Sequence, residues 1–297
     1  MKDFITREIR EYVKKYGERE DISTKWGEPL VGFADAKHPL IAGLPWMISK
    51  SHQLPEDVLA EASVIVAYFV PFTRELNKTN QLSRDIASRE WALAYEETNA
   101  MFLKLNDHLI ALLSEKGVRA AVSPETRTFD KEKLISNWSH RHIARAAGLG
   151  TFGLNNMLIT KLGCCGRYHS LVTDLDVEPD SPLGEEYCLY KKNGSCGICV
   201  KRCPAEALSP EGYDRKKCYA VLQKNAAIHT GLGNSYGGAQ EGLESEEQTE
   251  DIAAHNIDLK KQLEAPAAET KAKGGSDVCG KCIAFAPCAF WGQRPNR

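Results

Sequence analysis

The sequence predicts an α+β fold in two parts, a mixed helix-and-strand domain over residues 1–186 and a smaller, cysteine-rich domain over residues 187–297. Strand-like apolar runs alternate with long helical stretches up to about residue 186. Eight of the ten cysteines then fall between Cys188 and Cys288. With 42% hydrophobic and 26% charged residues, the 297-residue chain has the composition of a globular protein able to bury a core.

Ile5, Ile9, Tyr12, Val13 and Tyr16 share one face of an opening helix that Gly17 ends. This start is too polar for the apolar stretch of a signal peptide. Residues 62–70 are the longest apolar run, far short of the roughly 20 residues that a membrane helix needs, and read as a buried strand before Pro71. A cytoplasmic location without membrane attachment is expected. Between residues 84 and 117, Trp91, Met101, Phe102, Leu105, Leu109 and Leu113 recur near helical spacing and predict a long helix with one break at most. Residues 118–122, 157–160 and 168–175 are strand-like, and 134–147 helical.

Cys196, Cys199 and Cys203, followed by Pro204, repeat the tail of the bacterial Cys-x2-Cys-x2-Cys-x3-Cys-Pro motif, whose fourth cysteine serves the other cluster of a pair. Asn193 stands where the first ligand belongs, and Cys188 is the nearest cysteine upstream. Cys218, Cys279, Cys282 and Cys288, the last behind Pro287, repeat the two-cluster logic in a longer frame. Ligation is therefore assigned across the motifs. Cys188, Cys196, Cys199 and Cys288 take one 4Fe-4S cluster, and Cys203, Cys218, Cys279 and Cys282 the other. These spacings make the second part a two-cluster bacterial ferredoxin-like domain. Structural zinc also takes four thiolates, but zinc ribbons favour paired Cys-x2-Cys knuckles. Disulfides would be kept reduced inside a cell.

Residues from about 230 to 277 interrupt that domain with Gly-rich, Glu-rich and Ala/Lys-rich pieces holding few large apolar side chains. They are expected to form an exposed, mobile insertion, marginally helical at 252–263. A formal net charge of −2 lacks the basic footprint of a dedicated nucleic-acid binder, so DNA is not an expected partner.

Gly148, Gly150 and Gly153 fit GxGxxG, but the dinucleotide motif follows a strand and opens a helix. The order is reversed here, and Gly148 reads as a helix C-cap. The string AAGLGTFGLNNMLIT, then LG and SLVTDL, followed by a two-cluster module, resembles the epoxyqueuosine reductase family, whose plan the corrinoid reductive dehalogenases share. The resemblance covers roughly residues 89–288 and lies in Gly148, Gly150, Gly153, Asn155, Thr160, Gly163, Thr173, Asp174 and the cysteines. It implies a nitroreductase-like α/β cobalamin-binding domain, with two 4Fe-4S clusters feeding a cobalamin. A small electron donor of ferredoxin or flavodoxin type would supply the clusters. Gly148, Gly150, Gly153, Asn155, Cys164, Cys165 and Arg167 are the cofactor-binding residues implied. Cys164 and Cys165 read either as thiolates facing cofactor or substrate, or as small residues in a tight turn.

Leu134 stands where the family carries a proton-donating Asp, and Leu154 where it carries a Lys before Asn155. Replacement proton donors are sought in His140 and His142, which two apart on a helix do not share a face, and in Asp130. The helical-repeat tail of long members is missing, so a small-molecule substrate is preferred to tRNA, and the missing twin-arginine leader argues against an exported dehalogenase. The expected activity is that of an iron–sulfur oxidoreductase that passes single electrons to a corrinoid and on to a substrate. The alternative is a 4Fe-4S electron-transfer protein without corrinoid, serving a partner enzyme.

Overall fold

The computed structural model describes residues 1–235 and 274–293. Helix α1 (Lys2–Gly17) buries Ile5, Ile9, Tyr12, Val13 and Tyr16, the face its spacing predicts. Strand β1 (Leu30–Asp35) and three single helical turns, α2 (Pro39–Ala42), α3 (Leu44–Met47) and α4 (Pro55–Val58), lead to β2 (Val64–Pro71). The hydroxyls of Thr73 and Ser88 accept backbone N–H bonds that cap α5 (Arg74–Leu82) and α6 (Arg89–Ser114). There follow β3 (Ala120–Ala121), α7 (His140–Ala146), β4 (Gly150–Phe152), β5 (Leu158–Thr160) and β6 (Gly166–Thr173). The cysteine-rich part holds α8 (Leu189–Asn193), α9 (Ile198–Arg202), the ribbon β7 (Leu208–Ser209) and β8 (Gly212–Tyr213), α10 (Arg215–Ile228) and α11 (Lys281–Ala284).

The main sheet is antiparallel throughout, in the order β1-β2-β6-β3. Every residue of β2 is buried, because helices cover both faces and the strand lies inside the sheet. Alternation sends Val64, Val66, Tyr68 and Val70 towards α1 and α6, and Ile65, Ala67 and Phe69 towards Trp138 and α7. The register sets Tyr68 opposite His169 and Ala67 opposite Ser170. Among the described residues no helix is long and apolar enough to cross a membrane.

Three local expectations are corrected. The helix expected over 134–147 begins only at His140, because the backbone of Asp130 pairs with that of Ile135 and Leu134 takes φ +56°, which an α-helix does not admit. The strand expected over 118–122 shrinks to two residues pairing with the end of β6. The insertion expected over 230–277 is anchored at both ends, while residues 236–273 lie outside the described residues. Thr230 bridges to Gly275, and Ser276 is fully buried. The carboxylate of Glu96 on α6 accepts hydrogen bonds from the Ser235 backbone N–H (3.0 Å), the Ser235 hydroxyl and the Ser276 hydroxyl (2.7 Å). Composition does not register such an anchor, since serine and glycine count there as loop residues.

The two parts share a core. Phe72, Trp91, Ile159, Cys164, Cys165 and Cys188 pack with Ile283, Ala289 and Phe290 from the end of the chain. Asn77 and Asn80 on α5 donate side-chain N–H bonds to the carbonyls of Ala284 and Cys279, each at 3.0 Å, which seats α11 on the first part.

Candidate functional site

Cys188, Cys196, Cys199 and Cys288 line a single cavity together with Leu154, Ile159 and Trp291. They arrive from three segments: the N-terminus of α8, the loop and first turn of α9, and the stretch after Pro287. The Leu154 backbone N–H lies 3.4 Å from the Cys188 sulfur and points at it. The Cys199 thiol is pushed up to about 11 by burial, then by Cys288, Cys188 and Cys196, while the Val200 N–H opposes the rise. The residues assigned from spacing to one cluster thus line one cavity.

Cys203, Cys218, Cys279 and Cys282 form a second group. Burial raises the thiols of Cys218, Cys279 and Cys282, that of Cys279 to about 11, and Cys203 adds to the rise in all three. The Ala207 N–H donates to the Cys203 sulfur at 3.3 Å, the Tyr213 hydroxyl to Cys218, and the Lys281 backbone N–H to Cys279. Among the described residues, no three His, Cys, Asp or Glu side chains converge closely enough to hold a single metal ion.

The other candidates fall into three places, the glycines and Asn155 around the β4–β5 pair, the Cys164–Cys165 turn, and Arg167 on β6. Gly148 takes φ +72° at the end of α7, where a Cβ would press on the Ser181 carbonyl. Gly150 meets the Ile159 backbone across the β4–β5 pair, and Gly153 meets Asn155 and Ile159. Asn155 is buried, accepts from the Met157 N–H at 3.2 Å and lies 3.5 Å from the Cys282 carbonyl. Cys164 and Cys165 are buried thiols held well above the usual range. Cys164 is raised first by its contact with Cys288, whose sulfur lies 3.8 Å away, and Cys165 by burial. Arg167 donates to Asn99 at 2.8 Å and stacks on Tyr95 at 4.0 Å.

His140 and His142 point in different directions. His140 Nδ1 is 2.8 Å from the Ser170 hydroxyl, which also accepts from the Trp138 indole at 3.0 Å, and its ring lies 4.2 Å from that of His169. His169 Nδ1 lies 2.9 Å from the Ser170 N–H, 3.1 Å from the Asn106 side-chain nitrogen and 3.2 Å from the Ser170 carbonyl. The Tyr68 hydroxyl completes this buried chain by donating to Asn106 at 2.8 Å. His142 stacks on Phe152, with Nδ1 2.7 Å from the Ser139 hydroxyl. Burial lowers the pKa of both histidines, that of His142 to about 4, which disfavours the imidazolium form a proton donor needs. Asp130 caps its own turn, accepting from the Glu132 and Lys133 N–H groups, and these bonds hold its pKa low. Asp277 escaped the sequence reading because it sits at the far end of the insertion. Burial pushes its carboxyl up to about 6, against the pull of Arg167 and Lys131.

Burial lowers His52, His108, His140, His142 and His169, His142 to about 4 and His169 to about 3. The unfolded chain takes up these protons near pH 6.5 and the folded chain only at lower pH, so between the two the unfolded state binds more protons. Stability is expected to be full above about pH 6.5 and to fall steadily as pH drops towards about 4. The urea midpoint measured across that range checks this; a flat profile contradicts it.

No family model matches the chain. Over 80 residues it is 36% identical to the epoxyqueuosine reductase of Leadbetterella byssophila, a stretch equal to 27% of this chain and 24% of that one. Over 86 residues it is 38% identical to the epoxyqueuosine reductase of Staphylococcus aureus, covering 28% of this chain and 21% of the relative. The chain resembles the epoxyqueuosine reductases. The matched stretches span less than a quarter of the length of these epoxyqueuosine reductases. The solved epoxyqueuosine reductase of Bacillus subtilis is 19% identical, with a TM-score of 0.47, covering 77% of this chain and 62% of its own.

Proposed function

We propose that the chain is an iron–sulfur oxidoreductase of epoxyqueuosine reductase type. It would hold one 4Fe-4S cluster on Cys188, Cys196, Cys199 and Cys288, and a second on Cys203, Cys218, Cys279 and Cys282. The observation that carries this reading is the gathering of the first four sulfurs, from three segments, around one cavity. Crowded thiols raised by burial and by one another are relieved by a cationic centre, since a coordinating thiol is deprotonated outright. A structural zinc ion needs its sulfurs at about 2.3 Å from one point, whereas a cubane takes one thiolate at each iron and spreads them. When bound, each cluster takes up and releases single electrons.

The chain's own residues orient and shield the sulfurs. Leu154, Ile159 and Trp291 keep water from the first group, and backbone N–H bonds from Leu154, Val200, Ala207 and Lys281 fix the sulfurs they reach. Cobalamin is the further cofactor that the resemblance implies. Gly148, Gly150, Gly153, Asn155, Cys164, Cys165 and Arg167 make their close contacts with the chain itself, so they offer no fit for it. The relatives' name moves the substrate reading from an unspecified small molecule towards epoxyqueuosine, a modified nucleoside. A small one-electron donor of ferredoxin or flavodoxin type would supply the clusters.

Anaerobic reconstitution is expected to give about eight irons and eight sulfides per chain. Zinc in their place, or iron near zero in a folded chain, overturns the reading. A second reading, a cluster protein that passes electrons to a partner enzyme without a corrinoid, is favoured by Leu134 at the donor position and by the burial that lowers the pKa of His140 and His142. Cobalt at about one per chain excludes it; none, with full iron, supports it.

A further inference from the structure

The two cysteine groups differ in their surroundings. The first faces Leu154, Ile159, Leu189, Ala286, Pro287 and Trp291, a largely apolar wall. Two buried polar groups lie in or against the Cys279–Cys282 turn of the second. Lys281, between Cys279 and Cys282, is 1% exposed. Its ammonium donates to the Asn80 carbonyl (2.6 Å), to Asn80 Oδ1 (2.9 Å) and to the Ser83 carbonyl, all of them neutral oxygens. Asp85 and Arg202, of opposite sign, are the other side-chain charges outside the cysteines that act on it.

Trp91, near the start of α6, is 2% exposed, and its indole N–H meets no acceptor among the described residues. A buried donor left without a partner costs about 1–3 kcal/mol. The indole lies against Gly280, inside the same Cys279–Cys282 turn. A Cβ at Gly280 would fall 2.6 Å from the indole nitrogen, and Gly280 takes φ +70°. The turn is therefore shaped to bring this N–H close, and the described residues supply no acceptor there.

We infer that the Trp91 indole N–H donates to the cubane of Cys203, Cys218, Cys279 and Cys282, that the Lys281 ammonium sits beside it, and that together they give it the higher reduction potential of the pair. The inference rests on the two-cluster reading above. Each oxidised cubane accepts one electron from an external one-electron reductant, with no bond made or broken. A hydrogen bond to sulfur and a nearby positive charge both stabilise the added negative charge. The first electron to enter therefore settles on this cluster, and the second fills the one in the apolar cavity. Trp91 and Lys281 are positioning residues that act through the cluster.

The test is a redox titration of the anaerobically reconstituted full chain, followed by electron paramagnetic resonance, after iron and sulfide have been counted. Two reduction waves are expected. Trp91→Phe keeps the ring and removes the N–H, and Lys281→Met keeps the length and removes the charge. Each should disfavour reduction in the upper wave by about tenfold, about 59 mV for one electron, and leave the lower wave in place. Lys281→Arg should restore the upper wave. Trp91→Phe should also erase one exchangeable-proton coupling to the reduced cluster. Waves unmoved by Trp91→Phe at unchanged iron content, or a shift confined to the lower wave, overturn the inference. Iron well below eight in the unmodified chain defeats the two-cluster reading instead. Should Lys281→Met lose its iron, Trp91→Phe alone decides.

Discussion

Replacing Cys203 with alanine is expected to remove one cubane and leave the other, taking iron from about eight to about four per chain. The choice of second substitution then tests crossed ligation. Cys203→Ala combined with Cys279→Ala strikes the same cluster twice and should stay near four irons. Cys203→Ala combined with Cys196→Ala strikes both and should fall to nearly none. Ligation along the chain, with Cys196, Cys199 and Cys203 on one cluster, would reverse the two results. Metal analysis with sulfide quantification reads the outcome directly. Because metal binding energy is also folding energy, the second pair should lose more stability than the first.

Gly163→Ala is expected to destabilise the chain by about 3 kcal/mol, a large effect for one methyl group. Gly163 takes φ +102°, where an L side chain is strained, and a Cβ there would press into the Ala289 carbonyl and lie 2.7 Å from the Phe290 Cα. The neighbouring Cys164 N–H donates to the Cys288 carbonyl at 2.9 Å, so relief of the clash would drag Cys288 away from Cys188, Cys196 and Cys199. Loss of iron from the cavity cluster should accompany the loss of stability. Gly184→Ala is the control. A Cβ there meets nothing, and its effect should stay within about 0.5 kcal/mol. Equal urea midpoints for the two variants would refute the account.

Strong periodicity was legible in the sequence. The apolar face of α1 and the all-buried β2 are written in the spacing of Ile5, Ile9, Val13 and Tyr16 and in the uninterrupted run ending at Val70. The cysteine spacing carries the proposal of two ligand sets, because a thiolate motif constrains spacing more tightly than packing does, and Cys188, Cys196, Cys199 and Cys288 line one cavity. The strand β1, interrupted by Gly32, and the short β4 inside the glycine string carried no comparable signal. The chemistry of the histidines was hidden for another reason. Nothing in Asn137-Trp138-Ser139-His140 discloses that His140 meets Ser170 and His169, because those contacts come from the packing of α7 on β6. Trp91 and Lys281 were invisible in the same way, since a core tryptophan and a surface lysine are the ordinary reading of each until the fold brings them to one turn.

The pairing of Thr230 with Gly275, clamped by Glu96, brings departure and return of the polypeptide to one doorstep on α6. The closure entropy of whatever is strung between such neighbouring posts grows only slowly with its length. That doorstep is accordingly a place where stretches can be trimmed, lengthened or exchanged for foreign sequence while the sulfur-bearing turns on either side keep their positions.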